Sequence, residues 1–430
     1  MRLKYSNPEP WPVWLTRDLK HPLTYYRATL PARMTGGTVK LVSDQTASIP
    51  LGTPTIISAV EFEGSELLDT LIRDVPGMVL DCDDNLMEAS TGDVSTHREI
   101  MVQAIIAAVV TGDSSAVVKL RGRSAAGMVR DYRRVYLGRP AGISESEALA
   151  LIRDSIRAVW NEPLSDNVRE TERARTERNA NLLRLTPRLI ASTEPLAAAM
   201  AHVVPDADIR IAPYVIDPAD FPRNPRPNDG IVRIGHASGP LHRPDAQLAM
   251  DALKRCATLP NTEVWFFGWH PHWGNDLIPA TPKVMQFEGM TYHHGGWTRQ
   301  TRDFQQAIGK LDIALAPLQD TAFTRCKSPQ KWFEFASNAT PVVVSDSPVF
   351  SCVDHGVTGF KARTPEEFTE YALMLCNDAA LRKRIGQAAH DDVMARHTVS
   401  AKAEMWRRAV GAVEISKPTP ARPCGPSVDV

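Results

Sequence analysis

Between Cys326 and Asp346 the chain reads CKSPQKWFEFASNATPVVVSD. One carboxylate, Glu334, stands in a helix-like stretch, and Lys327, Ser328 and Lys331 come just before it. Cations and a hydroxyl at the start of a helix suit an anionic ligand, because the free amides and the dipole there favour negative charge. The plainer alternative stays open: Glu334 supports its helix and the lysines form a solvated face. A second candidate is MVLDCDDNLM, where Asp81, Asp83 and Asp84 follow an apolar run. Carboxylates at a strand end can hold a metal or position a hydroxyl, and can equally cap the next helix. A third is IGHASGPLHRPD, in which Gly235, Ser238 and Gly239 make a small-residue turn, followed by His242 and Arg243. Backbone amides can approach a phosphate at such a turn, which is also an ordinary strand-to-helix connection. His293 and His294 in TYHHGG have no carboxylate spaced to complete a metal site and read as a surface loop.

These residues need elements to hold them. A chain of 430 residues is long for one core, so two or three domains are expected. The first part alternates short apolar runs (WPVWLT, TVKLVSD, TPTIISAV, GMVLD) with helical patterns, which points to a parallel, doubly wound sheet. From about 97 to 188 the period is mostly helical, so a helical insertion is expected there. Strand–helix alternation resumes with RLIAST and DIRIAPYVID, and a linker rich in Pro, Asn and Asp follows. A second α/β unit then runs from IVRIGHAS through TEVWFFG, DIALAPL and PVVVSD to two C-terminal helices. The boundaries read as 1–218 and 228–413, with a flexible tail at 414–430. Ligands of such folds bind in the cleft outside the carboxyl ends of the strands.

The bulk numbers exclude several classes. The formal net charge is −1, which argues against a uniformly basic nucleic-acid binder. No apolar run is long enough to span a bilayer, and the first residues lack the apolar core of a secretion signal. Six scattered cysteines form no CxxC pair, so reduced thiols and a cytoplasmic location are expected.

The run DIALAPLQDTAFTRCKSPQKWFEFASNATPVVVSDSPVFSCVDHGVTGF, with TPEEFTEYALMLCNDAALRKRIGQAAHDDVMARHTVSAKAEMW after it, resembles the donor-binding region of GT-B glycosyltransferases. The similarity is to the retaining, family-4-like group. VRIGHASGPLHRPDAQL is similar to the first strand and loop of that domain, and LIASTEPLAAAMAHVV with IRIAPYVIDPADF to the end of the N-terminal domain. HPLTYYRATLPARMTGG resembles the first loop and helix of phage-encoded members. The resemblance implies a GT-B fold: two Rossmann-like domains facing across a cleft. It also implies transfer of a sugar from a nucleotide-diphosphate sugar, a UDP-sugar by preference, to a hydroxyl acceptor.

By the same resemblance, Glu334 matches the glutamate that accepts the ribose hydroxyls. Arg325, Lys327 and Lys331 would face the diphosphate, and Ser328 would donate to it. Gly235, Ser238, Gly239 and His242 would lie along the donor. The family carries another glutamate eight positions earlier, where this chain has Cys326, so its sugar contacts must differ. Asp83 and Asp84 would position the acceptor hydroxyl as the catalytic carboxylates, and Arg27 would face the cleft from the acceptor side. No metal or other cofactor is required by the resemblance.

For the acceptor, the stretch KLRGRSAAGMVRDYRRVYLGR carries seven basic residues and one acid. Arg130, Arg133 and Arg134 lie in it, and such a patch attracts phosphates. The favoured acceptor is therefore a hydroxymethylated pyrimidine base in phage DNA, modified in the host cytoplasm. The alternatives are a virion protein, an envelope saccharide, or a non-catalytic nucleotide-sugar-binding module.

Overall fold

The computed structural model describes residues 2–6, 12–16, 24–42, 46–50, 54–58, 71, 78–82, 130, 132–134, 136–138, 144, 147–149, 151–152, 166–186, 188–239, 242–268, 283–295 and 301–411. Asp83 and Asp84, most of the stretch expected as an insertion and the tail at 414–430 lie outside the described residues.

The first unit contains β1 (Arg2–Ser6), β2 (Val13–Thr16), a π-helical turn at Tyr25–Thr29 that runs into α1 (Leu30–Thr35), β3 (Thr38–Leu41), β4 (Thr46–Pro50), β5 (Thr55–Ser58) and β6 (Met78–Cys82). It continues with α2 (Asp166–Leu185), β7 (Arg188–Ala191), α3 (Glu194–Val203) and β8 (Asp208–Ile211). Six strands form one parallel sheet in the order β3-β2-β5-β6-β7-β8, while β1 and β4 pair separately. β2, β5 and β6 are buried at every position, as expected for parallel strands covered on both faces. α3 starts where the Thr193 hydroxyl accepts from the Leu196 amide, with a proline in its first turn.

The second unit has β9 (Val232–Ser238), α4 (Arg243–Gln247), α5 (Met250–Cys256), β10 (Thr262–Gly268), β11 (Lys283–Phe287), β12 (Met290–His294), α6 (Thr301–Ile308) and β13 (Ile313–Ala316). After these come α7 (Gln330–Ser337), β14 (Val342–Ser345), β15 (Phe360–Ala362), α8 (Pro365–Asn377), α9 (Ala379–Arg396) and α10 (Val399–Val410). The sheet order is β11-β12-β10-β9-β13-β14-β15, parallel except for β11. The chain builds outward from β9 to β10 on one side and then to β13 on the other. The order thus reverses between β9 and β13, and the carboxyl ends of those two strands flank a crevice. Both units are Rossmann-like, as expected.

Three features differ from the sequence expectation. Three helices, α8, α9 and α10, follow β15 where two were expected. His293 and His294 are not in a surface loop but in β12, and His294 is buried with Nε2 3.1 Å from the Gly268 carbonyl. The hairpin turns at Glu288 and Gly289, both at positive φ (45° and 81°), a turn that Glu-Gly signals weakly beside Asn-Gly or Asp-Gly. The last helix, α10, does not stay with the second sheet. It packs on α1 and β8 of the first unit, where the Trp406 indole donates to the Pro213 carbonyl at 3.0 Å. One apolar cluster accordingly runs through both units, from Trp14 and Tyr26 through Tyr214 and Phe221 to Trp332 and Trp406. No helix among the described residues is long and apolar enough to cross a membrane.

Candidate functional site

A cavity of about 230 Å³ opens at the ends of β9 and β13, where the strand order reverses. Its polar lining includes His236 and Ser238 from β9, His242, and Lys327, Ser328 and Lys331 at the start of α7. Tyr214 closes it from the first unit. Three strands of local reasoning put these groups there. In β9, side chains alternate between faces, so His236 and Ser238 share one. Beyond β9, His242 is steadied through Nδ1 by Asp245 Oδ2 at 2.7 Å. The second Asp245 oxygen accepts the Gln319 amide at 2.7 Å, which ties this loop to the end of β13. Before α7, a 3-10 turn at Thr324–Cys326 gives way to extended backbone at Lys327, and Pro329 precedes the first helical turn. Lys327 and Ser328 thus lead into the helix N-terminus with no side-chain cap competing for its amides.

Two ammonium groups, two serine hydroxyls and two histidines around one cavity can hold an anion with a polar neutral part. Among the described residues no group of His, Cys, Asp and Glu could hold a metal ion. His236 is fully enclosed, and burial drives its pKa down to about 4. It is therefore neutral around pH 7, and the lysines supply the positive charge named here.

The other expected residues fall elsewhere. Glu334 does not line the cavity. It is 2% exposed, and its Oε1 accepts from the Tyr26 hydroxyl at 2.8 Å and from Gln330 Nε2 at 2.9 Å. Its Oε2 lies 3.2 Å from Lys331 Nζ. Its oxygens therefore brace two cavity-lining side chains, Gln330 and Lys331, one helical turn back. Arg325 lies at the surface, gripped by both oxygens of Asp320 at 2.6 and 2.7 Å. Gly235 sits mid-strand, where a Cβ would come within 2.8 Å of the Trp265 carbonyl and 2.9 Å of Leu311. Its smallness serves sheet packing rather than phosphate approach. Gly239 follows Ser238 at the strand end and is not part of the lining.

Arg27 is a correction. It is 1% exposed and does not face the cleft. Its guanidinium forms a two-point ion pair with Asp81, donates to the Ala212 carbonyl at 2.7 Å and lies over the Trp406 ring at 4.7 Å. Arg130 and Arg134 are exposed and Arg133 is half-buried, away from the cavity lining. Cys326 is buried among apolar side chains of the first unit. Its carbonyl accepts from the Thr193 hydroxyl at 2.8 Å.

Sequence reasoning passed over His236, Gln330 and Tyr214 as lining groups. The signal available for His236 was its period-2 spacing from Ser238 at a strand end. For Tyr214 there was none, since it arrives from the other unit.

Comparison with known proteins gives the following. A family model described as "Glycosyl transferase-like" matches residues 247–408, which contain most of the cavity lining. HepE of Anabaena, solved with UDP and glucose, is 13% identical over 94% of this chain and 99% of its own, with a TM-score of 0.48. Sucrose-phosphate synthase of Thermosynechococcus elongatus is 12% identical over 93% of this chain and 99% of its own, with a TM-score of 0.49. TarM of S. aureus is 10% identical over 55% of this chain, with a TM-score of 0.39. The chain covers 46% of the TarM structure, about half its length. No curated protein matches the chain.

Proposed function

We propose that the protein is a GT-B glycosyltransferase that moves a sugar from a nucleotide-diphosphate sugar to a hydroxyl acceptor. The observation that carries this is the cavity at the strand-order reversal of the second unit, lined by Lys327, Lys331, Ser328 and His242. Its residues lie mostly within the segment matched by the glycosyltransferase-like model. The lysines and the amides at the start of α7 would neutralise the diphosphate as it leaves. Tyr214, reaching in from the first unit, would help exclude water from the donor. Glu334 would act at one remove, holding Lys331 and Gln330 in place.

The finer reading is a UDP-sugar donor, a retaining outcome and no metal requirement. In a front-face course the leaving diphosphate itself would take the acceptor proton. For the acceptor we infer a hydroxymethylated pyrimidine of DNA, on the strength of the basic stretch that contains Arg130, Arg133 and Arg134.

The test is incubation with a panel of nucleotide sugars and hydroxymethylated DNA, followed by mass analysis of released nucleotides and of nucleosides. Release of UDP with a hexose added to the nucleoside is the expected result. Release of nucleotide without nucleoside modification would remove the DNA acceptor alone. No turnover of any nucleotide sugar would remove the enzyme reading.

A further inference from the structure

His236 and Ser238 form a short hydrogen-bonded relay whose direction can be read from its fixed end. His236 Nδ1 lies 3.0 Å from the Leu315 carbonyl, and Nε2 lies 2.8 Å from Ser238 Oγ. A carbonyl oxygen can only accept, so Nδ1 carries a proton. The ring is buried and neutral at ordinary pH, because enclosure lowers its pKa to about 4. A neutral imidazole protonated on Nδ1 has a bare Nε2, which can only accept. The proton between Nε2 and Oγ therefore belongs to Ser238, and it points away from the ligand.

A serine hydroxyl has one proton and two lone pairs. With the proton committed to His236, only lone pairs remain for the cavity that Ser238 and His236 both line. Ser238 is 6% exposed, so water is not freely available to substitute as its partner. The phosphates of a sugar nucleotide are doubly esterified or anhydride-linked and carry no proton at neutral pH, so their oxygens would be repelled by those lone pairs. A hydroxyl or an N–H group would be held by them.

We propose that Ser238 is a specificity-determining residue that accepts a hydrogen bond from a hydroxyl of the bound sugar nucleotide, with His236 as the positioning residue that fixes its polarity. The identity of the ligand rests on the nucleotide-sugar reading above; the direction of the relay does not. The two lysines and the serine then divide the ligand between them. Lys327 and Lys331 take the anionic part, and Ser238 sorts among molecules of equal charge by whether they present a hydroxyl at the right place. Reading a hydroxyl through a buried acceptor discriminates strongly, because a ligand lacking the group leaves that acceptor unpaired.

The experiment compares wild type and Ser238→Ala for binding of inorganic pyrophosphate, UDP and UDP-glucose by calorimetry. The expected result is pyrophosphate affinity unchanged and UDP-glucose affinity lowered by about 3–10-fold, the effect of one neutral hydrogen bond. If UDP weakens equally, the hydroxyl belongs to the ribose; if UDP is unchanged, it belongs to the hexose. Both results support the proposal. Equal weakening of all three ligands, or no change in any, would overturn it. Nitrogen NMR of the His236 ring supplies a readout that needs no ligand. A bare Nε2 and protonated Nδ1 at pH 7 support the relay, and a protonated Nε2 would overturn it. Wild type that binds neither UDP nor UDP-glucose would instead remove the nucleotide-sugar reading, with the ring signals still deciding the polarity of the hydroxyl.

Discussion

The Tyr26 hydroxyl donates to Glu334 Oε1 across 2.8 Å, joining residues 308 positions apart, one in each α/β unit. Burial and the neighbouring carboxylate hold the phenol well above its ordinary pKa, so it stays a donor. Tyr26→Phe should cost about 1.5–3 kcal/mol, the range for a hydrogen bond to a charged group. Thermal unfolding reads this directly. Glu334→Gln should in addition weaken nucleotide binding, because Lys331 loses its anchor at the cavity edge. A melting temperature that does not move in Tyr26→Phe would show that the contact carries no stability.

Arg27 and Asp81 are each 1% exposed, so neither can turn to water if the other is lost. Removing one partner of such a pair costs about 3–5 kcal/mol, because a charge is left buried and alone. Arg27→Met should therefore unfold at much lower denaturant than wild type. The double variant Arg27→Met, Asp81→Leu should recover part of that loss. Two single-variant losses that simply add would contradict direct coupling.

Acid should destabilise the fold earlier than its carboxylates alone would require. Burial lowers the pKa of both His236 and His397 to about 4, below the ordinary value of 6.5. The unfolded chain then binds more protons than the folded one between those values. The stability these residues contribute is complete above pH 6.5 and is lost as the pH falls toward 4. For His236, which is fully enclosed, linkage over that interval amounts to about 3 kcal/mol. Urea titrations at pH 7, 6 and 5 should show a falling midpoint, and His236→Asn should flatten the decline. A midpoint constant from pH 7 to 5 would refute the argument.

Gly386 lies where α9 crosses the turn after α7. A Cβ there would sit 2.1 Å from the Ala339 carbonyl oxygen, and Ala339 itself is left-handed at φ 53°. Backbone rather than a flexible side-chain tip must give way. Gly386→Ala should cost at least about 1–3 kcal/mol although alanine favours helix, a reversal of the usual propensity order. Circular dichroism melting checks it; a stabilised variant would mean the helices are not in contact.

The chain's order of strands and helices was largely legible, because parallel strands such as IALA in β13 are apolar throughout and the helices between them carry their own period. The location of the cavity was legible for the same reason, since it follows from strand order. What could not be read were the contacts made across sequence distance. Glu334 carried the same neighbours in either reading, and only Tyr26 arriving from the other unit turns its carboxylate inward. Arg27 was expected at the cleft by resemblance, and nothing beside it in the sequence shows that it is paired and enclosed instead. Its partner is 54 positions away in a strand whose aspartate looked like part of an acidic cluster. The return of α10 is equally invisible locally: Trp406 marks an apolar face but not which unit supplies its partner.

That return makes the connection between units double. The chain passes from the first unit to the second after Ile216 and comes back at Thr398, and the two passages lie side by side. The Ile216 amide donates to His397 O at 3.0 Å, and the Val399 amide donates to Ile216 O at 2.9 Å. A single tether would let the halves swing, slide and twist independently. Two tethers hydrogen-bonded to each other restrain sliding and twisting of one half against the other more than one tether would. A cut on one tether alone would therefore leave the halves held by the other.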